Sequence, residues 1–238
     1  MGAQRRAGQS PVSMPPRSGR RGDQIAPAPA PGRGSTRALP NPSTGRTGYG
    51  AYKARQSGVK AMAAVLLTGP PGCGKTTVLI DLLKEVKAPA GGFYTKELRR
   101  GNKRWGFALI TLQGQEAVLA SVDLPGPSRV SRYGVAMDVL EEIGVPAILE
   151  ALRKGQLVVI DEIGKMELLS PRFREAVLTV LQASRPLLGT IMLAPHPFAD
   201  AIKGRWDVRI VYLTRENREQ AFREALEATK DMLAQARI

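Results

Sequence analysis

The chain has 238 residues, including 35 Lys and Arg, 21 Asp and Glu, one His and one Cys. No stretch approaches the ~18 consecutive apolar residues of a membrane-spanning helix, and the basic N-terminus lacks the apolar segment of a secretory signal. A single Cys excludes an intrachain disulfide, and together with a single His it excludes a Cys/His zinc cage. We therefore expect a cytoplasmic protein that makes no membrane contact.

Positive charge is concentrated at the N-terminus. Residues 1–61 contain 11 cations and one acid, whereas residues 62–238 contain 24 cations and 20 acids. The N-terminal segment also has 8 Pro and 10 Gly but few large apolar side chains, so it cannot bury enough surface to offset the entropy of ordering. We predict a disordered basic tail over 1–61 and a folded domain over 62–238, with any nucleic-acid binding confined to the tail.

The predicted elements alternate between strands and helices along most of the domain. Apolar runs and helical spacing predict, in chain order, a strand at 63–68, a helix at 76–86, strands at 93–99, 104–112 and 115–120, a loop at 123–134, helices at 135–143 and 146–154, a strand at 157–160, a helix at 171–183, a strand at 187–193, a helix at 198–203, a strand at 208–213 and a helix at 216–237. This order favours an α/β fold whose mainly parallel sheet is flanked by helices. The 93–120 meander is expected to be an antiparallel insertion.

A phosphate-binding loop is expected between the first strand and the first helix. The segment fits G-x-x-x-x-G-K-[ST] and consists of Gly69, Pro70, Pro71, Gly72, Cys73, Gly74, Lys75 and Thr76. Glycines let backbone N–H groups curl around the phosphates, and the helix N-terminus adds positive dipole charge. Lys75 is expected to neutralise the β- and γ-phosphate oxygens, and the Thr76 hydroxyl is expected to bind Mg²⁺.

Two adjacent acids follow the apolar strand at 157–160. Asp161 is expected to hold the Mg²⁺ hydration shell, as the Walker-B carboxylate does in P-loop enzymes. Glu162 is expected to polarise the attacking water as a general base. Two solvent-facing acids at a strand end are the structural alternative, which we disfavour because the phosphate loop is also present.

At these residues the sequence resembles the small nucleoside-triphosphatase family that includes the thermostable archaeal enzymes and the cancer-related nucleoside-triphosphatase. The resemblance covers residues 62 to about 220 and rests on these segments: 67–77, 92–95, 104–107, 159–168 and 214–218. It implies a RecA-like P-loop fold and Mg²⁺-dependent hydrolysis of ATP, GTP and other NTPs to NDP and phosphate. Gly164, inside the specific block Asp161–Leu168, is expected to join the nucleotide-binding residues.

The chain departs from the family pattern in two places. Members commonly have Glu after Phe-Tyr-Thr, whereas this chain has Lys96 followed by Glu97, so the role of the first acid is not carried over. Members also usually begin a few residues before the phosphate loop, so the resemblance does not extend to residues 1–61.

Residues 1–61 have three interpretations. They form a basic arm that binds nucleic acid, with Tyr49 and Tyr52 available for stacking, or a transit peptide for import into an organelle. Alternatively, they are not translated, since Met62 stands where related chains begin. We favour the third interpretation because the others require a low-complexity segment to carry information.

Several further polar residues have both a functional and a structural interpretation. The cations Arg99, Arg100, Lys103 and Arg104 crowd the predicted hairpin tip, where one of them, best Arg104, would act as an arginine finger. A charged edge that prevents strand pairing is the interpretation we favour. Contacts to phosphate, base or ribose compete with structural roles for the following residues: Lys165, Thr190, Asn217 and Arg218. Oxidation of Cys73 in the phosphate loop is a minor alternative, and His196 is assigned no catalytic role.

The sequence thus favours an NTPase that transfers the γ-phosphoryl group to water. One alternative is a small-molecule or nucleotide kinase in which Glu162 deprotonates an acceptor hydroxyl. The other is an NTP-gated switch that binds nucleic acid or protein and uses hydrolysis only to reset.

Overall fold

The computed structural model describes residues 61–238. The predictions made for residues 1–60 lie outside the described residues and stay predictions. None of the helices in the described part is long and apolar enough to cross a membrane.

A mixed sheet forms the centre of the domain. Its strands are β1 (Ala64–Thr68), β2 (Ala90–Arg100), β3 (Lys103–Thr111), β4 (Glu116–Ser121), β5 (Arg129–Val130), β6 (Tyr133–Val135), β7 (Leu157–Ile163), β8 (Leu187–Ile191) and β9 (Val208–Tyr212). Their order across the sheet is β5-β6-β4-β3-β2-β7-β8-β1-β9. The half from β2 to β9 is parallel, and the half from β2 to β5 is antiparallel.

Helices cover both faces of the parallel half. They are α1 (Lys75–Val86), α2 (Met137–Val139), α3 (Val145–Arg153), α4 (Pro171–Gln182), α5 (Pro197–Lys203) and α6 (Arg218–Ala236). The start of α4 shows how local sequence sets a boundary: Phe173 N–H donates to Ser170 Oγ over 3.1 Å, and Pro171 occupies the first turn. This is the cap expected of a Ser-Pro helix start.

Alternating side chains of β1 divide the core into two layers. Val65 and Leu67 pack with α1 and α6, whereas Ala64 and Leu66 pack with α3, α4 and α5. Successive residues of a strand point to opposite faces, so an uninterrupted apolar run is required where both faces are covered. The predicted α/β fold with a helix-flanked sheet is confirmed, and the sheet is mixed, with four parallel and four antiparallel strand pairings.

The predicted antiparallel meander is present and joins the parallel strands through β2. β2 belongs to both halves: Ala90–Phe93 pair in parallel with β7, and Phe93–Arg100 pair antiparallel with β3. The predicted loop at 123–134 also contains the short hairpin β5–β6. Its strands pair over only two positions, too few to leave an alternating pattern.

The two helices predicted on either side of Gly144-Val145-Pro146 are continuous. A π turn over Leu140–Gly144 connects α2 to α3 directly. The wider π turn leaves room for the proline ring beside the preceding carbonyls, so Pro146 does not end the helix here.

Candidate functional site

The phosphate loop connects β1 to α1 and depends on glycine at two positions. A Cβ on Gly69 would lie 2.0 Å from the Leu213 carbonyl oxygen, so no side chain fits there. Gly74, the residue before α1, has φ 95°, in the left-handed region that favours glycine. The loop can therefore pass close to the β9–α6 connection and then turn into α1.

The Lys75 side chain lies between the loop and the strand-end acids. Its Nζ donates to the Gly69 carbonyl over 3.3 Å and lies 3.9 Å from Glu162 Oε1. The side chain is only 11% exposed, so its charge acts in a partly desolvated setting where electrostatic interactions are stronger than in water. The two residues predicted to be catalytic are thus neighbours.

Asp161 is the centre of a hydrogen-bond network at the carboxyl end of β7. Its side chain is buried, with 1% exposure. Oδ2 accepts from Thr76 Oγ1 at 2.8 Å and from both the N–H and the hydroxyl of Thr95 at 3.2 Å. Oδ1 accepts from Thr190 Oγ1 at 2.6 Å. The network joins α1, β2, β7 and β8, so Asp161 holds the two predicted metal-binding oxygens in one place.

Thr95 received no role in the sequence analysis. The threonine lies on β2, and its contact with Asp161 spans 66 residues of chain. The parallel pairing of Phe93 with Ile160 places Thr95 and Asp161 at the same level along their neighbouring strands. The available signal was a hydroxyl residue two positions after the buried Phe93, which is too common a pattern to identify a site.

Thr95→Val is expected to raise the Mg²⁺ concentration needed for half-maximal activity by about tenfold. A hydrogen bond to a charged group contributes on the order of 1.5–3 kcal/mol, and only the hydroxyl bond is lost, because the backbone N–H of residue 95 still donates. Titrations of activity with Mg²⁺ measure the effect. Thr95→Ser keeps the hydroxyl and is expected to match the parent. Equal Mg²⁺ dependence of all three proteins would show that the contact has no functional role.

Glu162 follows Asp161 and is partly buried. Its side chain is 32% exposed. Burial raises the pKa of this carboxyl, the nearby Lys75 ammonium lowers it, and the Asp161 carboxylate raises it further. A carboxylate with a raised pKa accepts a proton more readily, as general-base catalysis requires.

Gly164 separates two carboxyl side chains. A Cβ on this residue would lie 3.1 Å from Glu167 Oε2 and 3.3 Å from Glu162 Cγ. A side chain at this position would force Glu162 or Glu167 to shift by a few tenths of an ångström, so glycine allows both to pack closely here. The structure places Gly164 beside the predicted base, whereas its predicted contact with nucleotide stays a prediction.

Glu167 is a buried acid that the sequence analysis left without a role. It is 5% exposed, and burial raises its pKa to about 8. The backbone N–H groups of Glu167 and Gly164 oppose this shift, whereas the charges of Glu162 and Asp161 add to it. At neutral pH the carboxyl is therefore mainly protonated, which limits the negative charge beside Glu162.

Glu167→Gln is expected to stabilise the folded protein increasingly as the pH rises. The folded-state pKa lies above the ordinary value of 4.5, so the folded state binds more protons than the unfolded state between pH 4.5 and about 8, and stability falls with pH in that window. The difference in Tm between variant and parent should grow across this pH window to about 10–20 °C and then level off. Calorimetry at several pH values measures this difference. The exposed Glu175→Gln is the control and should show no such trend; a pH-independent difference for Glu167→Gln would contradict the assignment.

Three of the four hairpin cations are held at the surface by two acids. Glu97 accepts from Arg99 at 2.6 Å and from Arg104 at 2.5 Å, and Asp123 accepts from Arg100 at 2.9 Å. These ion pairs agree with the charged-edge interpretation. An arginine finger would have to leave Glu97, and Arg104 in that role stays a prediction.

The remaining candidates are placed as follows. Thr190 is buried and donates a hydrogen bond to Asp161. Lys165 is exposed. Asn217 accepts from Thr214 N–H at 2.7 Å and donates to the Tyr212 carbonyl at 2.9 Å, so it closes the turn before α6. His196 caps α5 by accepting from Phe198 N–H, and Cys73 is buried at 6% exposure.

Arg218 lies across the phosphate loop. Its Nη1 is 2.8 Å from the position of a Cβ on Gly74, and its Nη2 donates to Asp81 over 3.4 Å. The residue also lines an open groove between α1 and α6. Its predicted contact with base or ribose is compatible with this position and stays a prediction.

The donor set at Asp161 fits a magnesium ion. Mg²⁺ prefers oxygen ligands and is usually bound through one or two side chains together with substrate phosphates and water. The Thr76 hydroxyl and the Asp161 carboxylate are such oxygens and lie 2.8 Å apart. Among residues 61–238 no group of three or more His, Cys, Asp or Glu side chains forms a metal cage, so a metal here would depend on the substrate for further ligands.

Comparisons with known proteins agree with this site. A family model described as NTPase matches residues 64–226. The nucleoside-triphosphatase THEP1 of Thermotoga maritima is 47% identical over 166 residues, which are 70% of this chain and 95% of that protein. The cancer-related nucleoside-triphosphatase homolog of Bos taurus is 39% identical over 176 residues, covering 67% and 93% of the two chains.

Two solved structures share the fold. The crystal structure of THEP1 from the hyperthermophile Aquifex aeolicus has a TM-score of 0.65 and 31% identity, and covers 70% of this chain and 99% of that one. The solution structure of a human cancer-related nucleoside triphosphatase has a TM-score of 0.61 and 36% identity, with coverage of 70% and 97%. The phosphate loop, the strand-end acids and these similarities together show that the chain belongs to the family of small P-loop nucleoside-triphosphatases.

Proposed function

We propose that this nucleoside-triphosphatase hydrolyses ATP, GTP and other NTPs to NDP and phosphate in a reaction that requires Mg²⁺. The observation that carries the proposal is the convergence of Lys75, Thr76, Asp161 and Glu162. Their contacts of 2.8 Å (Thr76–Asp161) and 3.9 Å (Lys75–Glu162) join the phosphate loop to the carboxyl end of β7. Ligands of parallel α/β sheets bind at this edge.

Each residue has a distinct role in the proposed reaction. Backbone N–H groups of residues 69–76 bind the β- and γ-phosphates, and Lys75 neutralises their oxygens. Glu162 orients the attacking water and accepts its proton as the bond to the γ-phosphorus forms. The small exposure of Lys75, 11%, limits competition from bulk water for these contacts.

Thr76 and Asp161 would hold the magnesium ion. When bound, the ion neutralises the charge that develops on the β- and γ-phosphate oxygens. The hydrogen bonds from Thr95 and Thr190 to the two oxygens of Asp161 fix that carboxylate in place. Such support for a metal-binding side chain typically affects both metal affinity and activity.

The most direct test is phosphate release from ATP, GTP, CTP and UTP by the full chain, with Mg²⁺ and with a chelator. The proposal expects NDP and phosphate in equal amounts, in Mg²⁺ only and without any added acceptor. NDP formation that depends on an added hydroxyl compound and yields its phosphate ester in place of free phosphate would favour a kinase. Turnover that is negligible until a nucleic acid or protein is added would favour the switch.

We also propose that residues 62–238 suffice for the reaction. The family match at residues 64–226 supports this boundary. Deleting residues 1–61 is expected to change kcat less than about twofold and Tm by less than a few degrees, because the tail has few large apolar side chains that could pack on the domain. Parallel assays of both proteins check this expectation. A shortened chain that fails to fold or to hydrolyse NTPs would show that the segment is part of the domain.

A further inference from the structure

One end of the antiparallel half of the sheet carries a cationic surface assembled from separate segments. We define the tip surface by six exposed cations and two acids: Arg99, Arg100, Lys103, Arg104, Arg129, Arg132, Glu97 and Asp123. Residues 62–238 have 24 cations and 20 acids, and outside the tip surface the numbers are 18 and 18. The whole charge surplus of these residues therefore lies on the tip surface.

The strand register brings the β5–β6 hairpin to the tip of β2 and β3. Gly106, Ser121, Gly134 and Arg129 form one row of pairings across β3, β4, β6 and β5. The Arg132 Nη2 donates to the Arg104 carbonyl over 3.0 Å. Cations that are about 30 residues apart in sequence thus form one continuous surface.

A flat stacking platform lies within the tip surface. The Arg100 guanidinium carbon is 4.2 Å from the centroid of the Trp105 ring. Asp123 Oδ2 holds this arrangement, because it accepts from both Trp105 Nε1 at 2.8 Å and Arg100 Nη1 at 2.9 Å. The Arg100 side chain remains 65% exposed, so its outer face is open to a planar partner.

We propose that the tip surface binds single-stranded nucleic acid. Unpaired bases stack on aromatic rings and on guanidinium planes, and surrounding cations contact the phosphates. The Arg100–Trp105 pair provides the surface on which a base stacks, and the five other cations contact the phosphates of the backbone. Residues 1–61 were the predicted location of any such affinity, and the tip surface is a second location within the domain.

The tip surface lies near the hydrolytic site but does not overlap it. Arg100 is five residues beyond Thr95 on β2, which corresponds to about 17 Å along a strand. The proposal concerns binding of single-stranded nucleic acid without added NTP. It rests on residues outside the hydrolytic site, so a failure to bind nucleic acid would not contradict the proposed hydrolysis.

The first test measures binding of a fluorescent 20-nucleotide uridine oligomer to the full chain by anisotropy over a series of salt concentrations. The triple variant R100Q/K103Q/R132Q removes three charges from the tip surface. The control R153Q/R223Q/K230Q removes the same residue types from exposed positions elsewhere. The Kd should rise at least about tenfold in the first variant and less than twofold in the second. The slope of log Kd against log salt concentration should fall by about 2 in the first variant only. Equal losses in both variants would overturn the proposal.

The second test does not depend on the folding of a variant. The unsubstituted full chain is crosslinked to the same oligomer carrying 4-thiouridine, and the crosslinked peptides are identified by mass spectrometry. The proposal expects crosslinks within residues 99–105 and 129–133. Crosslinks confined to residues 1–61 would contradict it. Equally tight binding of a 20-base-pair duplex, or full competition by polyglutamate at equal charge, would also rule out a single-strand surface.

Discussion

Glu162→Gln is expected to lower kcat by at least a hundredfold while the dissociation constant of Mg·NTP changes little. Glutamine is nearly isosteric and removes only the basicity of the carboxylate. Lys75, Thr76 and Asp161 remain, so the phosphates and the metal keep their ligands. The lost group is the one that accepts the proton of water, and general-base assistance typically contributes about 10²–10⁴-fold.

Single-turnover hydrolysis and equilibrium binding of NTP separate the two effects. Glu175→Gln, at an exposed position of α4, controls for the change in net charge and should behave as the parent does. An equal loss of binding would mean that Glu162 supports the metal or the fold. An unchanged kcat would falsify the assignment, since another residue would then activate the water.

Lys75→Ala is expected to abolish measurable hydrolysis and to weaken NTP binding by about ten- to a hundredfold. A hydrogen bond between charged groups contributes on the order of 1.5–3 kcal/mol, and such bonds are the stronger class in partly desolvated sites. The 11% exposure of Lys75 places it in that class. The Lys75 ammonium is also missing when the transition state forms, so kcat should fall together with NTP affinity.

Titration calorimetry with an NTP and a steady-state assay measure the two losses. Lys154→Ala removes a lysine that is 48% exposed at the end of α3, and it should leave binding and turnover unchanged. A melting temperature close to that of the parent will show that Lys75→Ala is folded. If a folded Lys75→Ala protein retained both affinity and turnover, the phosphate loop would not be the substrate site.

Local sequence predicted the parts of the domain whose structure depends on neighbouring residues. The phosphate loop followed from its motif of glycines, Lys and Thr, and Gly74 is required there by a positive φ within the loop itself. The reason for Gly69 is a long-range contact, its close approach to the Leu213 carbonyl. The buried strands β1 and β7 followed from uninterrupted apolar runs. The start of α4 at Ser170-Pro171 followed from capping chemistry.

The same reasoning did not show how an element with two partners is paired. β2 is parallel to β7 at one end and antiparallel to β3 over most of its length, and its sequence has no feature that marks the change at Phe93. The meander itself was predicted, but its attachment to the parallel strands through β2 was not. The hairpin β5–β6 and the π turn before Pro146 were missed because each deviates from regular periodicity over only a few residues.

What the sequence by itself determined is thus the phosphate loop, the order of strands and helices, and the strand-end pair Asp161 and Glu162. Only the tertiary structure decided that Thr95 bonds Asp161, that Gly164 separates Glu162 from Glu167, and that distant arginines share one surface. The physical reason is that local patterns constrain neighbours along the chain. Contacts between residues 66 positions apart, as for Thr95 and Asp161, depend instead on the pairing register of strands.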